Sequence, residues 1–373
     1  MSIKIIKKGV NSKGFIALLV LFLFPSFAFS QTLQPSDLSD TQQGPNIQQI
    51  SADTNKLIQQ TLDESVKNSI SLEINPEYPE AFEDTTVKIT STLVDLMRAN
   101  VSWYLNGKLK DGGLGKNLFM FRTGKIGEIN TISAVITTVD GLEIKRQISI
   151  NPTNFDIIWE ADTYVPPFYK GKALAIARSA VKIVALPDFY SGGKQINPKD
   201  LVYVWRDNNK DAPFTDSSGY GKNVLSLSMS QILRDTNISV ETSSRAKSIR
   251  SQQNIILAPQ NTRLLFYESN PVEGIIYEKA ISGTFNLTRE DFSVKAEPYF
   301  FSNKSRSGGN LSYGWFLGGK KITPDSSEQI TLKQTGNSSG VSSLSLTIEN
   351  LTNIFEQASK SFTLNFKKES LSF

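Results

Sequence analysis

The phrase VSWYLNGK at residues 101–108 returns, altered, as YVWRDNNK at 203–210 and YGWFLGGK at 313–320. A chain that writes one phrase three times within 373 residues is assembled from repeated structural units. Each phrase carries a tryptophan: Trp103, Trp205 or Trp315. A little further on stand the pairs Asn106-Gly107, Asn208-Asn209 and Gly318-Gly319, followed by Lys108, Lys210 and Lys320. Such pairs tolerate the positive φ that a tight type I′ hairpin turn demands. The spacing therefore predicts a strand, a tight turn and a second strand in every unit. The indole would lie on the first of these strands and fill the space between two sheets, contributing roughly 2–3 kcal/mol by burial. These three tryptophans are the expected structural core residues.

Other marks keep the same register. GLGKNLFMF (113–121) follows the first phrase and GYGKNVLSL (219–227) the second. Leu72-Glu73, Trp159-Glu160 and Tyr267-Glu268 open the units, and Pro76, Pro166 and Pro271 follow them. The joints Ile150-Asn151-Pro152 and Leu257-Ala258-Pro259 match, and an X-Pro step after a final strand makes a short, stiff linker. TTVKITSTL (85–93) and TISAVITTVDGLEIKRQISI (131–150) alternate apolar and polar residues, the second around an Asp140-Gly141 turn. VKIVAL (181–186), NISVET (237–242), SLSLTIE (343–349) and SFTLNF (361–366) are further strands. The expectation is an all-β chain of three tandem Ig-like β-sandwich domains, at 70–152, 153–258 and 259–373.

Residues 1–30 carry lysines at 4, 7, 8 and 13, an apolar run from Phe15 to Phe24 and a small-residue step at Ala28-Phe29-Ser30. That is the pattern of a secretory signal peptide, with a prepilin-type leader as the rival. The rival cut, at Gly14-Phe15, wants Glu where Leu19 stands. The four lysines are the only charges there, so the remainder holds 36 basic and 36 acidic residues. A basic stripe for nucleic acid is unsupported. No second apolar segment supplies a transmembrane anchor for the mature chain. Residues 31–69 divide into a polar tether and, over 46–68, an amphipathic pattern of Ile47, Ile50, Leu57, Ile58, Leu62 and Val66. With neither cysteine nor histidine, the chain forms no disulfide and builds no Cys/His zinc site or His-based triad.

Gly115-Lys116 and Gly221-Lys222 lack the preceding glycine and following Ser or Thr of a phosphate loop, and read as turns. Asp207, Asn209 and Asp211 have alternating oxygen spacing, with Asp216 further on, but Ala212 and Ser218 stand where a calcium loop wants Gly and Glu. Acid pairs such as Glu77 with Glu80, or Glu290 with Asp291, are not singled out as glycosidase carboxylates. No catalytic residue, metal or cofactor is expected. The segment TYVPPFYKGK (163–172) is the surface candidate, with Tyr164, Phe168, Tyr169 and Lys170 as partner contacts for protein or sugar. Its other reading is architectural, with the rings packed on a neighbouring domain, as YESNPVEGIIY (267–277) in the next unit suggests.

Repeated Trp–turn–Lys units behind a signal peptide resemble bacterial Ig-like or PKD-like repeat proteins of the cell surface. More narrowly, WEADTYVPPFYKGKALA (159–175) and LLFYESNPVEGIIYEKAI (264–281) resemble uncharacterised envelope proteins found near type IV pilus genes. The resemblance implies surface display or pilus association and supplies no catalytic residues. The resulting expectation is a non-enzymatic secreted or envelope protein, a structural spacer or adhesion module, with other envelope or pilus proteins as partners. The alternative is a carbohydrate-binding module that meets glycans through its exposed aromatic residues.

Overall fold

The computed structural model describes residues 47–366 apart from 288 and 336–338, with side chains from 54 onward. The expected signal peptide, the tether over 31–45 and the terminal KKESLSF lie outside the described residues. Helix α1 (Ile47–Asn68) occupies the amphipathic stretch. Leu57, Ile58 and Leu62 are exposed on it, whereas Val66 packs on the core of the first sandwich. Its last turn is held there by Arg146, which donates to the carbonyls of Lys67 and Ile70.

The first sandwich comprises β1 (Ile70–Asn75), β2 (Asp84–Ser91), β3 (Asn100–Leu105), β4 (Lys108–Leu114), β5 (Leu118–Arg122), β6 (Asn130–Thr137) and β7 (Glu143–Ile150). One sheet has the order β1-β2-β5 and the other β4-β3-β6-β7. Alternation on β6 buries Ile132, Ala134 and Ile136 against Val87, Ile89 and Trp103, so the core lies between the sheets.

The second sandwich repeats the plan. Its strands are β8 (Asn154–Ala161), β9 (Ala180–Asp188), the small hairpin β10 (Tyr190–Ser191) and β11 (Lys194–Gln195), β12 (Val202–Asp207), β13 (Ala212–Pro213), β14 (Gly219–Tyr220), β15 (Val224–Ser228), β16 (Thr236–Ser243) and β17 (Arg250–Leu257). Sheet β15-β9-β8 faces β13-β12-β16-β17 over a core that includes Phe189, Tyr203 and Trp205.

In the third sandwich, β18 (Arg263–Asn270), β19 (Gly274–Ile275), β20 (Thr284–Leu287), β21 (Asp291–Tyr299), helix α2 (Asn303–Ser307), β22 (Leu311–Leu317), β23 (Lys320–Ile322), β24 (Gln329–Lys333), β25 (Gly340–Asn350) and β26 (Gln357–Phe366) follow in turn. The sheets are β19-β18-β21-β24 and β20-β26-β25-β22-β23, with β20 running parallel to β26. These are three tandem Ig-like sandwiches, each with its own buried cluster.

The tryptophans occupy equivalent places on β3, β12 and β22, and all three are buried. Each indole N–H donates to a backbone carbonyl on the chain entering the opposite sheet: Lys116 O at 2.7 Å, Lys222 O at 2.9 Å and Ser327 O at 3.0 Å. A buried ring with its one polar group satisfied carries no desolvation debt. This explains the repeated Gly-Lys-Asn. Gly115 and Gly221 both take φ +69 and turn the chain, and the next residue presents its carbonyl to the indole. A Cβ on Gly221 would stand 3.0 Å from Lys199 O, so only glycine fits.

Two of the three tight turns follow the expected geometry. Asn106-Gly107 has φ 51 and 78, and Gly318-Gly319 has φ 56 and 79. The second does not. Asn208-Asn209 begins a four-residue loop, because β12 pairs with β13 through Asp207↔Ala212. The single left-handed residue there is Asp211, at φ 49. Asp207 causes the difference: its Oδ1 accepts from the Asn209 N–H at 3.1 Å and its Oδ2 meets Lys210 Nζ at 3.1 Å, wrapping the chain into a wider loop. The same contacts engage both oxygens of the first of the alternating acids.

Candidate functional site

The connection from β8 to β9, residues 162–179, leaves the second sandwich and lies on the third. At one end, Thr163 forms a bridge with Ser302, and Asn303 Nδ2 donates to Asp162 Oδ1 at 2.8 Å. Tyr164 then exchanges two backbone hydrogen bonds, its N–H with Phe301 O and its carbonyl with the Phe300 N–H, both at 2.7 Å. At the other end, the Gln260 N–H donates to Ala175 O at 2.7 Å and Asn353 Nδ2 to Ala177 O at 3.4 Å. Between these ends, Ile176 joins Tyr267, Tyr299 and Phe300 in a fourth buried cluster with Val165, Leu174 and Tyr277 at its margin. The strap is also tied to its own sandwich: Lys172 Nζ sits 3.6 Å from the ring centroid of Trp159, and burial lowers its pKa.

Beneath the strap lies Glu297, fully buried on the outer face of β21. Its Oε2 accepts from the Tyr164 hydroxyl at 2.8 Å and its Oε1 from Tyr277 at 2.7 Å. The Tyr267 and Tyr299 hydroxyls meet at 2.6 Å. Burial, followed by the bond to Glu297, pushes the Tyr164 and Tyr277 pKa values far above the ordinary 10.0. Tyr299 is raised by burial and by its bond to Tyr267. One carboxylate thus joins a phenol of the second sandwich to one of the third.

A second carboxylate acts on Tyr164 through a guanidinium. The Arg306 guanidinium stacks 3.4 Å over that ring and donates to Glu328 Oε1 at 2.8 Å, while Lys295 holds Glu328 Oε2 at 2.8 Å. Burial alone would raise the Glu328 pKa, but hydrogen bonds from Lys295 and Arg306 outweigh it and hold the group below its ordinary value. Burial likewise opposes the charge on Arg306, and the bond to Glu328 overcomes it. Glu356, also buried, accepts from the Ser302 N–H at 2.6 Å and from Asn350 Nδ2 at 2.6 Å, fixing the chain at the start of α2 where the strap docks.

The four surface candidates separate. Tyr164 and Tyr169 turn onto the third sandwich, Tyr169 edge-on to Tyr299 at 5.5 Å. Lys170 is exposed. Phe168 is 87% exposed, its ring 6.4 Å from that of Tyr277. It is the third residue of a turn closed by the Tyr169 N–H on Pro166 O at 3.2 Å, with φ 63. Glycine is usual at that position, and a bulky residue in the left-handed region costs about 1–2 kcal/mol. A large apolar ring is held in water at a strained backbone position, a combination that collects at contact sites. Among the described residues, no group of three or more acidic side chains could hold a metal ion, and no helix is long and apolar enough to cross a membrane.

Sequence reasoning missed Glu297, Arg306, Glu328 and the pairing of Tyr267 with Tyr299. Ser293, Lys295 and Glu297 share the side of β21 that faces away from its core, and read as solvent-facing. One signal was available. Leu264-Leu265-Phe266-Tyr267 is continuously apolar, as a strand covered on both faces must be.

No family model matches this chain, and no curated protein matches it. Solved structures similar to it include the three N-terminal domains of the outer capsid protein Hoc of bacteriophage RB49, at 9% identity over 81% of this chain and 99% of that one, TM-score 0.24. The central fibronectin-III array of RIM-binding protein aligns at 12% identity over 80% and 96%, TM-score 0.25. Bacteroides ovatus SGBP-B of a mixed-linkage glucan utilization locus, in complex with a mixed-linkage heptasaccharide, aligns at 11% over 80% and 70%, TM-score 0.21. Superpositions this loose bear on no function; the fold rests on the sheet orders above.

Proposed function

We propose that this chain is a non-enzymatic secreted protein of the cell surface, a structural spacer or adhesion module, working beside a type IV pilus or a secretion apparatus. The observation that carries the reading is the strap: an insertion of the second sandwich that binds the third and projects Phe168 from a fixed base. A joint sealed by a buried carboxylate and four tyrosines suits a part that transmits position, and an exposed ring on that joint suits a contact anchor. The buried acids Glu297 and Glu356 and the half-buried Glu328 are all engaged inside the protein, which favours a structural role over a chemical one. The pilus setting rests on the resemblance of 159–175 and 264–281.

A photo-crosslinking residue at 168, used on intact cells, is expected to capture envelope or pilus components. Absence of any crosslink at 168 counts against the anchor. Phe168→Gly is expected to leave the unfolding free energy unchanged, or raise it by about 1 kcal/mol through relief of the left-handed backbone, while weakening capture. A clear loss of stability instead makes Phe168 a packing residue. Phe168 also favours the second reading, a glycan-binding module, and glycan-array binding abolished by Phe168→Ala is the result that selects it.

A further inference from the structure

The two joints between the sandwiches are built differently. The second has a buried apolar cluster of its own, in which Ile176 of the strap meets Tyr267, Tyr299 and Phe300. Backbone hydrogen bonds of 2.7 Å cross it at Tyr164 and at Ala175. The first joint has neither. The apolar clusters of the first and second sandwiches stop on either side of it. Among the described residues, no backbone–backbone hydrogen bond and no ion pair joins 70–150 to 154–258. The two bodies meet directly through one side-chain bond, from Gln253 Nε2 to Glu80 Oε1 at 3.3 Å, and that bond is exposed, where water replaces it at little cost.

The linker Asn151-Pro152-Thr153 is held by long bonds. The Gly127 N–H donates to Pro152 O at 3.4 Å, and Asn151 Nδ2 to Tyr190 O at 3.3 Å. Asn151 Oδ1 is buried with no hydrogen-bond partner, and a buried acceptor left unpaired disfavours the arrangement that buries it. Beside it lies an open cavity of about 170 Å³ that reaches Tyr78 and Pro79 of the first sandwich and Lys247 and Arg250 of the second. Its apolar lining is Ile74, Pro79, Ile150 and Ile249, and all but the proline belong to the separate clusters of their own sandwiches. Tyr78 also turns to its own sandwich: burial, then a hydrogen bond to Glu77, raises its pKa to about 12. At the second joint, by contrast, Tyr164 reaches across to Glu297.

Domains of one chain move relative to one another unless a large apolar interface holds them. Pro152 fixes its own φ and keeps Asn151 extended, so the linker sets the spacing while the remaining dihedrals of 151–153 absorb rotation. We propose that the three sandwiches move as two bodies: the first swings about residues 151–153, and the second and third turn together as one. This motion is independent of what Phe168 contacts.

The probe is a pair of spin labels at exposed positions of the full chain. Glu143→Cys with Asn254→Cys spans the first joint, and Asn254→Cys with Ser343→Cys spans the second. A melting curve of each labelled chain checks that it folds. The distance distribution across the first joint is expected to be at least about twice as wide as that across the second. Should the first pair unfold the chain, Lys88→Cys with Asn254→Cys repeats the reading from another exposed position. Tyr78→Ala and Glu80→Ala are expected to leave the first distribution as wide as before, because their contacts do not hold the joint. Equal widths at the two joints overturn the proposal, whether both are narrow or both broad. So does a narrow first distribution that broadens in Tyr78→Ala or Glu80→Ala, which would make the first joint a second clasp.

Discussion

Trp205→Ala is expected to cost the second sandwich about 3–5 kcal/mol, the usual penalty for emptying an aromatic core site. The indole is fully buried, so truncation leaves a cavity between β12 and the opposite sheet. It also leaves Lys222 O without the N–H that now meets it at 2.9 Å. Because a domain of this size is stable by only about 5–15 kcal/mol, such a loss reaches a large fraction of the total. Urea unfolding followed by circular dichroism measures it. Trp205→Phe is expected to cost less, since it keeps most of the ring volume and loses the hydrogen bond. A melting curve unchanged by Trp205→Ala would show that the ring is not the plug between the layers.

Glu297→Ala is expected to cost about 2–4 kcal/mol, and its damage should appear at the joint. The substitution removes the acceptor of two phenols at once, leaving the Tyr164 and Tyr277 hydroxyls to find water or remain unpaired. The core of the third sandwich lies on the other face of β21 and should persist. The expected signature is faster proteolysis within 162–179 with the far-ultraviolet spectrum intact. Alkali should act on the same contact. Tyr164, Tyr277 and Tyr299 have folded pKa values raised above the unfolded 10.0. Their contribution is complete below pH 10 and is lost as pH rises through the folded values, because the unfolded state releases those protons first. Stability measured from pH 8 upward should therefore be flat and then fall from about pH 10, with a shallower fall in Tyr164→Phe. A stability that climbs with pH would contradict the clasp chemistry.

The parts of the fold legible in the sequence are those set by local pattern. Tryptophan recurs in all three sandwiches, and Gly-Lys-Asn in the first two, because each solves the same problem of plugging its core and crossing to the other sheet. Asn208-Asn209 misled because the residue that widens the loop, Asp207, acts through a side chain that φ preferences do not describe. Glu297 was hidden for another reason. Its strand alternates as a half-solvated strand should, and its burial comes from a strap more than a hundred residues away.

The chain contains no cysteine, so two can be introduced for spin labels without background. Labels at the exposed positions Asn254 and Ser343, on the second and third sandwiches, read the joint directly through their distance distribution. The clasp predicts one narrow distribution in the native chain that broadens in Glu297→Ala and Tyr164→Ala. A broad distribution in the native chain, or one that neither substitution changes, would contradict it.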